Sequence, residues 1–210
     1  MEPDRELIYV GDPMCSWCWG IAPQLDALAE RRRDLPFRIV VGGLRPGPNA
    51  EPMSDRMAAG LAHHWHDVEN RSGQPFDHGL LARRDWTYDT EPACRAVVSM
   101  REVDETLVWP LFKRLQRAFY VEGIVLADPS VYPDLVRDVG ADAAGFMPVF
   151  ESPEAVKATW RDFSTARSWG ISGFPTVVAR SGRTGHLIAA GYSSADDMER
   201  ALTESLGSTG

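Results

Sequence analysis

Two cysteines three residues apart, Cys15 and Cys18, are the side chains of this sequence best suited to chemistry. They lie within residues 12–20, which read Asp-Pro-Met-Cys-Ser-Trp-Cys-Trp-Gly, directly after the apolar run at residues 7–10. A helical pattern follows, so one sulfur should lie among the unpaired backbone N–H groups of a helix N-terminus, where those donors and the helix dipole favour a thiolate. A thiolate is the attacking species in disulfide exchange, and the second cysteine, one turn on, can reach back to close the pair. The pair therefore predicts a dithiol/disulfide redox centre.

The principal alternative for the pair is half of a zinc site. Structural zinc usually takes four ligands, from two such pairs or from one pair and two histidines. The chain has no second Cys-x-x-Cys, and its histidine cluster (His63, His64 and His66) lies in a separate helical region without matching spacing. We therefore expect no metal at the cysteines. We expect the three histidines to occupy a solvated or partly packed helix, where a bound metal would be adventitious.

Three neighbours of the pair have candidate roles. Asp12 either ends the preceding strand and sets up a turn, or its carboxylate accepts the proton that Cys18 releases. Trp17 lies between the cysteines and is expected at the mouth of the site, as an apolar platform for an unfolded peptide or glutathione. Trp19 is expected to serve in packing.

Hydrophobic patterning supplies the elements that must position the pair. Residues 7–10 form a buried strand candidate, and a helix should run from about Ser16 to Arg32, with a kink or a restart at Pro23. A second strand is expected at residues 37–41, where two glycines end it. This β-α-β order predicts two parallel strands joined by a right-handed crossover.

The strand signal disappears from residue 46 to about residue 150, where Pro- and Gly-rich turns separate helical segments. A further helix leads to strands at residues 176–179 and 187–190, which flank a glycine-containing hairpin turn, and a last helix runs to about Leu206. Without the helical block, the order is that of the thioredoxin fold. We predict an α/β protein with a mixed sheet and a large all-helical insertion. Residues 1–45 and 151–210 would form a discontinuous thioredoxin-like domain, and residues 46–150 the inserted helical domain.

Composition indicates which classes of partner to exclude and where the protein is expected in the cell. The net charge of −8 argues against a nucleic-acid partner. The acidic segment at residues 1–6 precedes only four apolar residues, too few for a signal peptide, and no segment approaches the ~18 apolar residues of a membrane span. We therefore expect a cytoplasmic protein with no membrane partner.

Three cysteines cannot form a disulfide scaffold, so Cys94 is expected to pack as a small hydrophobe, with a regulatory or mixed-disulfide role as the alternative.

Three features together carry a resemblance to a known family. They are residues 12–20 after the first strand, the helical insertion after Gly42-Gly43, and the segment Gly173-Phe174-Pro175-Thr176 before the returning strand. Over about residues 6–206, the chain resembles the DsbA-like thioredoxin-fold oxidoreductases, and more closely the cytoplasmic FrnE-like branch. It departs from the commoner family motifs at Ser16, between the cysteines.

The resemblance implies roles for individual residues. Cys15 would be the nucleophile and Cys18 the resolving thiol, while Pro175 would be a cis-proline that faces the pair and helps to present the backbone of the substrate. The residues expected to contact substrate are Ser16, Trp17, Phe174, Pro175 and Thr176.

The function that follows is thiol–disulfide exchange with protein, peptide or small-molecule disulfides. No cofactor is required, glutathione is a candidate redox partner, and reduction or isomerisation is the expected direction in a reducing cytoplasm. One alternative is a kappa-type glutathione transferase or a 2-hydroxychromene-2-carboxylate isomerase, which share the fold and the insertion but typically carry serine at the position of Cys15. The other is a non-enzymatic chaperone-like module whose dithiol senses oxidation and whose helical block forms a peptide groove or a homodimer face.

Overall fold

The computed structural model describes residues 5–207 and contains a mixed sheet surrounded by helices. In chain order, the elements are β1 (Arg5–Gly11), α1 (Ser16–Arg31), β2 (Phe37–Val41), β3 (Glu51–Pro52), α2 (Asp55–Ser72), β4 (Thr87–Tyr88), α3 (Glu91–Val103), α4 (Val108–Tyr120), α5 (Tyr132–Asp138), α6 (Ala143–Phe150), α7 (Pro153–Ser168), β5 (Thr176–Ser181), β6 (Thr184–Ala190) and α8 (Ala195–Gly207). Within residues 5–207, no helix is both long enough and apolar enough to cross a membrane.

The main sheet has the strand order β2-β1-β5-β6. β1 runs parallel to β2, with Leu7 opposite Phe37, and antiparallel to β5, with Leu7 opposite Ala179. β5 and β6 form the expected hairpin. The predicted α/β class and mixed sheet are therefore confirmed, and the paired cysteines follow the central strand β1 directly.

The insertion between β2 and α7 differs from the prediction in one respect. It is mostly helical, but β3 and β4 pair as a two-stranded antiparallel ladder, so the expectation of an all-helical insertion was wrong. Strands of two residues are too short to show the period-2 alternation by which a strand is recognised in sequence. The limits of the two predicted domains stay a prediction, and their residues 1–4 and 208–210 lie outside the described part of the chain.

One hydrophobic core joins the sheet to the insertion. It includes Leu25 of α1, Val177 of β5 and the aromatic side chain Phe119 of the insertion. On the opposite face of the sheet, a small cluster formed by Ile8, Val10, Val40 and Ala166 lies under α7. The insertion therefore packs on the same side of the sheet as the helix that carries the cysteines.

Helix α1 continues through Pro23 without the restart that was one of the two expectations. Proline cannot donate to the carbonyl four residues earlier, which here belongs to Trp19. That carbonyl instead accepts a hydrogen bond from the Gln74 side-chain amide in the insertion, with an N···O distance of 3.1 Å. A contact from a distant segment therefore satisfies the carbonyl that proline leaves free.

Candidate redox site at the start of the first helix

The two cysteines occupy the N-terminus of α1, as their spacing predicts. Cys15 is the N-cap residue, its N–H donates to the Asp12 carbonyl at 3.0 Å, and Cys18 lies in the first turn. Both are free thiols. Cys15 is 6% exposed and Cys18 is completely buried, so an incoming disulfide can meet Cys15 first.

The segment before β5 lies against Cys15. The Phe174–Pro175 peptide bond is cis, and the Cys15 thiol donates to the Phe174 carbonyl with an S···O distance of 3.5 Å. The Thr176 hydroxyl donates to the Gly173 carbonyl at 2.9 Å, which holds this loop in its turn. Gly42, directly after β2, leaves the space for the Phe174 ring, since a Cβ there would lie 2.1 Å from ring carbons. Sequence-distant residues are thus brought together around one sulfur.

Asp12 binds the loop that carries the cysteines. One carboxylate oxygen accepts the Met14 N–H at 2.8 Å, and the other accepts the Leu44 N–H at 2.7 Å and the Cys94 thiol at 3.4 Å. Burial raises the pKa of the Asp12 carboxyl, and the Leu44 and Met14 amides partly offset this rise. The carboxylate therefore ties the cysteine loop to the segment after β2. Its role as proton acceptor for Cys18 stays a prediction.

Cys18 lies in a fully buried, partly polar environment. Burial raises the pKa of its thiol well above the usual value, and its hydrogen bond with Cys15 raises the pKa further. The Tyr9 hydroxyl and the Asp12 backbone amide lower the pKa of Cys18. Sequence reasoning missed Tyr9, because a tyrosine in an apolar strand is indistinguishable from a core residue when its long-range neighbours are unknown.

The rim of the site is formed by residues of the thioredoxin-like part of the chain and of the insertion. Ser16 and Trp17 are half-buried, and the Trp17 ring lies 6.4 Å from that of Tyr192, in the loop after β6. The Arg71 guanidinium, at the end of α2, lies 4.8 Å from the centre of the Tyr192 ring. Sequence reasoning named neither Arg71 nor Tyr192, since no local pattern places them near the cysteines.

Trp19 packs, as expected, and connects the helix to the insertion. Its ring stacks on that of Tyr120 at 6.2 Å, and its indole N–H donates to the Pro75 carbonyl at 3.1 Å. From the other side, the Tyr88 hydroxyl donates to the Met14 carbonyl. The insertion therefore holds the cysteine segment at both of its ends.

The remaining candidate ligands lie elsewhere. His63, His64 and His66 are exposed on α2, and no group of three or more metal-ligating side chains is assembled within residues 5–207. Cys94 is fully buried on α3, as its apolar neighbours predict, and its thiol also contacts Asp12.

A groove of about 720 Å³ begins at the Phe174 loop and follows the outer face of the β5–β6 hairpin. Its apolar lining includes Ile8, Ile171, Val178 and Leu187, the last of which is 64% exposed. Arg183 also lines it. The groove is thus continuous with the loop that contacts Cys15.

Comparison with known proteins supports the interpretation of this geometry. A crystal structure from Nitrosomonas europaea, provisionally described as a protein disulfide isomerase, is 38% identical and superposes with a TM-score of 0.91 over 98% of this chain and 99% of that one. The cytosolic disulfide reductase DsbM of Pseudomonas aeruginosa is 27% identical, with a TM-score of 0.81 over 97% of this chain and 100% of that one; a second structure of DsbM contains GSH.

A third relative has a different description. The ClpXP adapter protein SpxH of Bacillus subtilis is 25% identical over 174 residues, and the match covers 82% of this chain but only 57% of the length of the adapter. The model of the DSBA-like thioredoxin domain matches residues 6–203, which confirms the thioredoxin-type fold and leaves the FrnE-like branch as a prediction. This chain therefore belongs to the family of DSBA-like thioredoxin domains.

Proposed function

We propose that this protein is a thiol–disulfide oxidoreductase in which Cys15 is the nucleophile and Cys18 the resolving thiol. The observation that carries the proposal is the difference between the two sulfurs: Cys15 is the N-cap residue beside the Phe174 loop and keeps 6% exposure, and Cys18 lies completely buried one turn behind it. Backbone N–H groups at a helix N-terminus stabilise negative charge, which favours attack by Cys15.

The proposed reaction in the reducing direction has two steps. The Cys15 thiolate attacks one sulfur of the substrate disulfide, which forms a mixed disulfide and releases the other substrate sulfur as a thiolate. Cys18, as a thiolate, then attacks the Cys15 sulfur, which forms the Cys15–Cys18 disulfide and releases the second substrate thiolate. Two protons from the enzyme thiols end on the two substrate thiols, so the substrate gains two electrons and the enzyme loses them.

The direction and the partners follow from the compartment that we propose, the cytoplasm. There, reduction or isomerisation is the favoured net reaction, because the glutathione pool keeps thiols reduced. The description of DsbM as a cytosolic disulfide reductase and its structure with GSH support the same proposal, with glutathione as redox partner rather than as a required cofactor. Pro175 and Thr176 would present the backbone of the substrate, beside Ser16 and Trp17.

Titration of the protein in glutathione buffers of defined ratio tests this function. We expect a reversible two-electron transition between the dithiol and a Cys15–Cys18 disulfide, read by mass spectrometry after thiol alkylation, together with dithiothreitol-driven reduction of insulin. A midpoint potential near that of thioredoxin, about −270 mV, would make the protein a reductant. Absence of the internal disulfide at every ratio would contradict the proposal, and aggregation suppressed equally by a Cys15/Cys18 double serine variant would favour the non-enzymatic module instead.

The groove beside the Phe174 loop favours polypeptide substrates, because it offers apolar surface continuous with the loop whose Phe174 carbonyl accepts from the Cys15 thiol. We predict that Leu187→Asp raises the KM for insulin about fivefold, since a charge there prevents burial of an apolar side chain of the substrate. The KM for a small disulfide such as hydroxyethyl disulfide should not change. Thr184→Asp, which places the same charge at an exposed position of β6 outside the groove lining, is the matched control. Equal effects of the two variants on insulin would contradict the prediction.

A further inference from the structure

The hydroxyl of Tyr9 is a buried polar group that the proposed reaction does not yet use. Tyr9 is completely buried on β1, and its hydroxyl has no hydrogen-bond partner of ordinary geometry. Its ring is fixed by aromatic neighbours on three sides, with centroid distances of 6.3 Å to Phe37, 5.8 Å to Trp109 and 5.5 Å to Phe112. Burying a hydroxyl without a partner is costly, so a hydroxyl at this position calls for an explanation.

Gly11 shows which way the Tyr9 side chain points. A Cβ at Gly11 would lie 2.5 Å from both Cζ and Oη of Tyr9, so the ring extends along β1 over residue 11, toward the end of the strand that leads into the cysteine loop. Any larger residue at position 11 would displace the hydroxyl. The glycine therefore provides the space through which Tyr9 reaches the site.

Cys18, at the other end of the cysteine loop, belongs to the same buried cluster as Tyr9. Burial raises the pKa of the Cys18 thiol, and the nearby Tyr9 hydroxyl lowers it. Burial, followed by the charge of Cys18, raises the pKa of Tyr9 well above its usual value. Cys15 and Asp12 raise the pKa of Tyr9 as well. The phenol consequently keeps its proton throughout the neutral range and can act only as a donor to a neighbouring thiolate.

We propose that Tyr9 is the positioning residue of the resolving thiol: its hydroxyl donates to the Cys18 sulfur when that sulfur becomes a thiolate and attacks the mixed disulfide. This proposal rests on the proposed function. In the step, the bond between Cys18 and Cys15 forms, the bond between Cys15 and the substrate sulfur breaks, and the proton lost by Cys18 ends on the departing substrate thiolate. Tyr9 keeps its own proton and loses its hydrogen bond when the Cys18 thiolate is consumed.

Rapid-quench mass spectrometry with glutathione disulfide separates the two steps. In Tyr9→Phe, the mixed disulfide at Cys15 should form at the wild-type rate. Its conversion to the internal disulfide should slow about tenfold at neutral pH, the effect expected when one hydrogen bond to a charged group is lost. The pH at which this second step is half-maximal should rise, whereas a merely structural role of Tyr9 would leave that pH unchanged. Tyr132→Phe, which removes a buried hydroxyl bonded to the Leu126 carbonyl, is the matched control.

A second replacement covers the case in which Tyr9→Phe does not fold. Replacing Tyr9 by 3-fluorotyrosine keeps the size and strengthens the donor, so the second step should accelerate and its half-maximal pH should fall. Wild-type rates and pH profiles for the second step in a folded variant would overturn the proposal. Failure of the wild-type protein itself to form the mixed disulfide would instead contradict the proposed function.

Discussion

Replacing Cys15 by serine is expected to reduce disulfide exchange to background, whereas replacing Cys18 by serine is expected to stop the reaction at a mixed disulfide. A serine hydroxyl at position 15 cannot replace a thiolate in disulfide exchange, and the buried Cys18 has no path to an external disulfide. In Cys18→Ser, the first attack proceeds, but the intermediate lacks its internal resolving group. The two variants therefore fail at different steps.

Incubation with glutathione disulfide, followed by acid quench and intact-mass measurement, distinguishes these outcomes. Cys15→Ser should carry no adduct, and Cys18→Ser should carry one glutathione, located at Cys15 by peptide mapping. Cys94 serves as an internal control, because its completely buried thiol should stay unlabelled in both variants while the protein is folded. Insulin reduction that persists in Cys15→Ser would contradict the assignment of the nucleophile.

Among the site residues described above, Asp12 should have the largest effect on the free energy of unfolding when its carboxylate is removed. Asp12→Ala leaves the Met14 and Leu44 N–H groups without their acceptor, at a completely buried residue. A buried donor left unpaired costs about 1–3 kcal/mol, and the Leu44 N–H is only partly buried. The free energy of unfolding should therefore fall by about 2–5 kcal/mol, somewhat less than two full penalties. Chemical denaturation monitored by tryptophan fluorescence measures this change, and a loss below about 1 kcal/mol would contradict the structural role.

The pH dependence of stability, measured for the wild type and for Asp12→Asn, tests the same carboxyl group. Burial raises the pKa of Asp12 in the folded state above the ordinary value of 3.8, so the unfolded chain ionises first as pH rises. The stability of the wild type relative to Asp12→Asn should therefore be greatest below about pH 4 and should decline as pH rises through the folded-state pKa. A difference that grows with pH would contradict this sign. Slower resolution by Cys18 in the same variant would support the proton-acceptor role.

The local features of the site could be predicted from sequence because they depend on neighbours in the chain. The apolar run before Cys15 and the helical periodicity after it suffice to place a thiol pair at a strand-to-helix junction. Asp12 shows where this reasoning ends: sequence offered a turn former or a proton acceptor, but its partners Leu44 and Cys94 lie 32 and 82 residues away.

Pro23 and Tyr9 are two further residues whose long-range contacts could not be predicted from sequence. Proline within a helical pattern predicts a kink or a restart, and nothing local reveals that Gln74 will satisfy the carbonyl left free. Tyr9 lies within the apolar run of β1, and only the direction of its hydroxyl, past Gly11 toward the cysteine loop, distinguishes it from an ordinary core residue. In both cases the deciding contact joins segments whose proximity the tertiary fold creates.

The hydrogen bonds between the insertion and the cysteine segment have an evolutionary consequence. Tyr88, Gln74 and Pro75 contact Met14 and Trp19 across 74, 55 and 56 residues of sequence. None of these three residues belongs to the Cys-x-x-Cys motif, yet each forms a hydrogen bond with a residue directly before or after the motif. Substitutions that accumulate in the insertion can therefore retune the thiol pair while the motif itself stays unchanged. Chains that share the Cys-x-x-Cys motif should therefore differ in redox behaviour as their insertions differ.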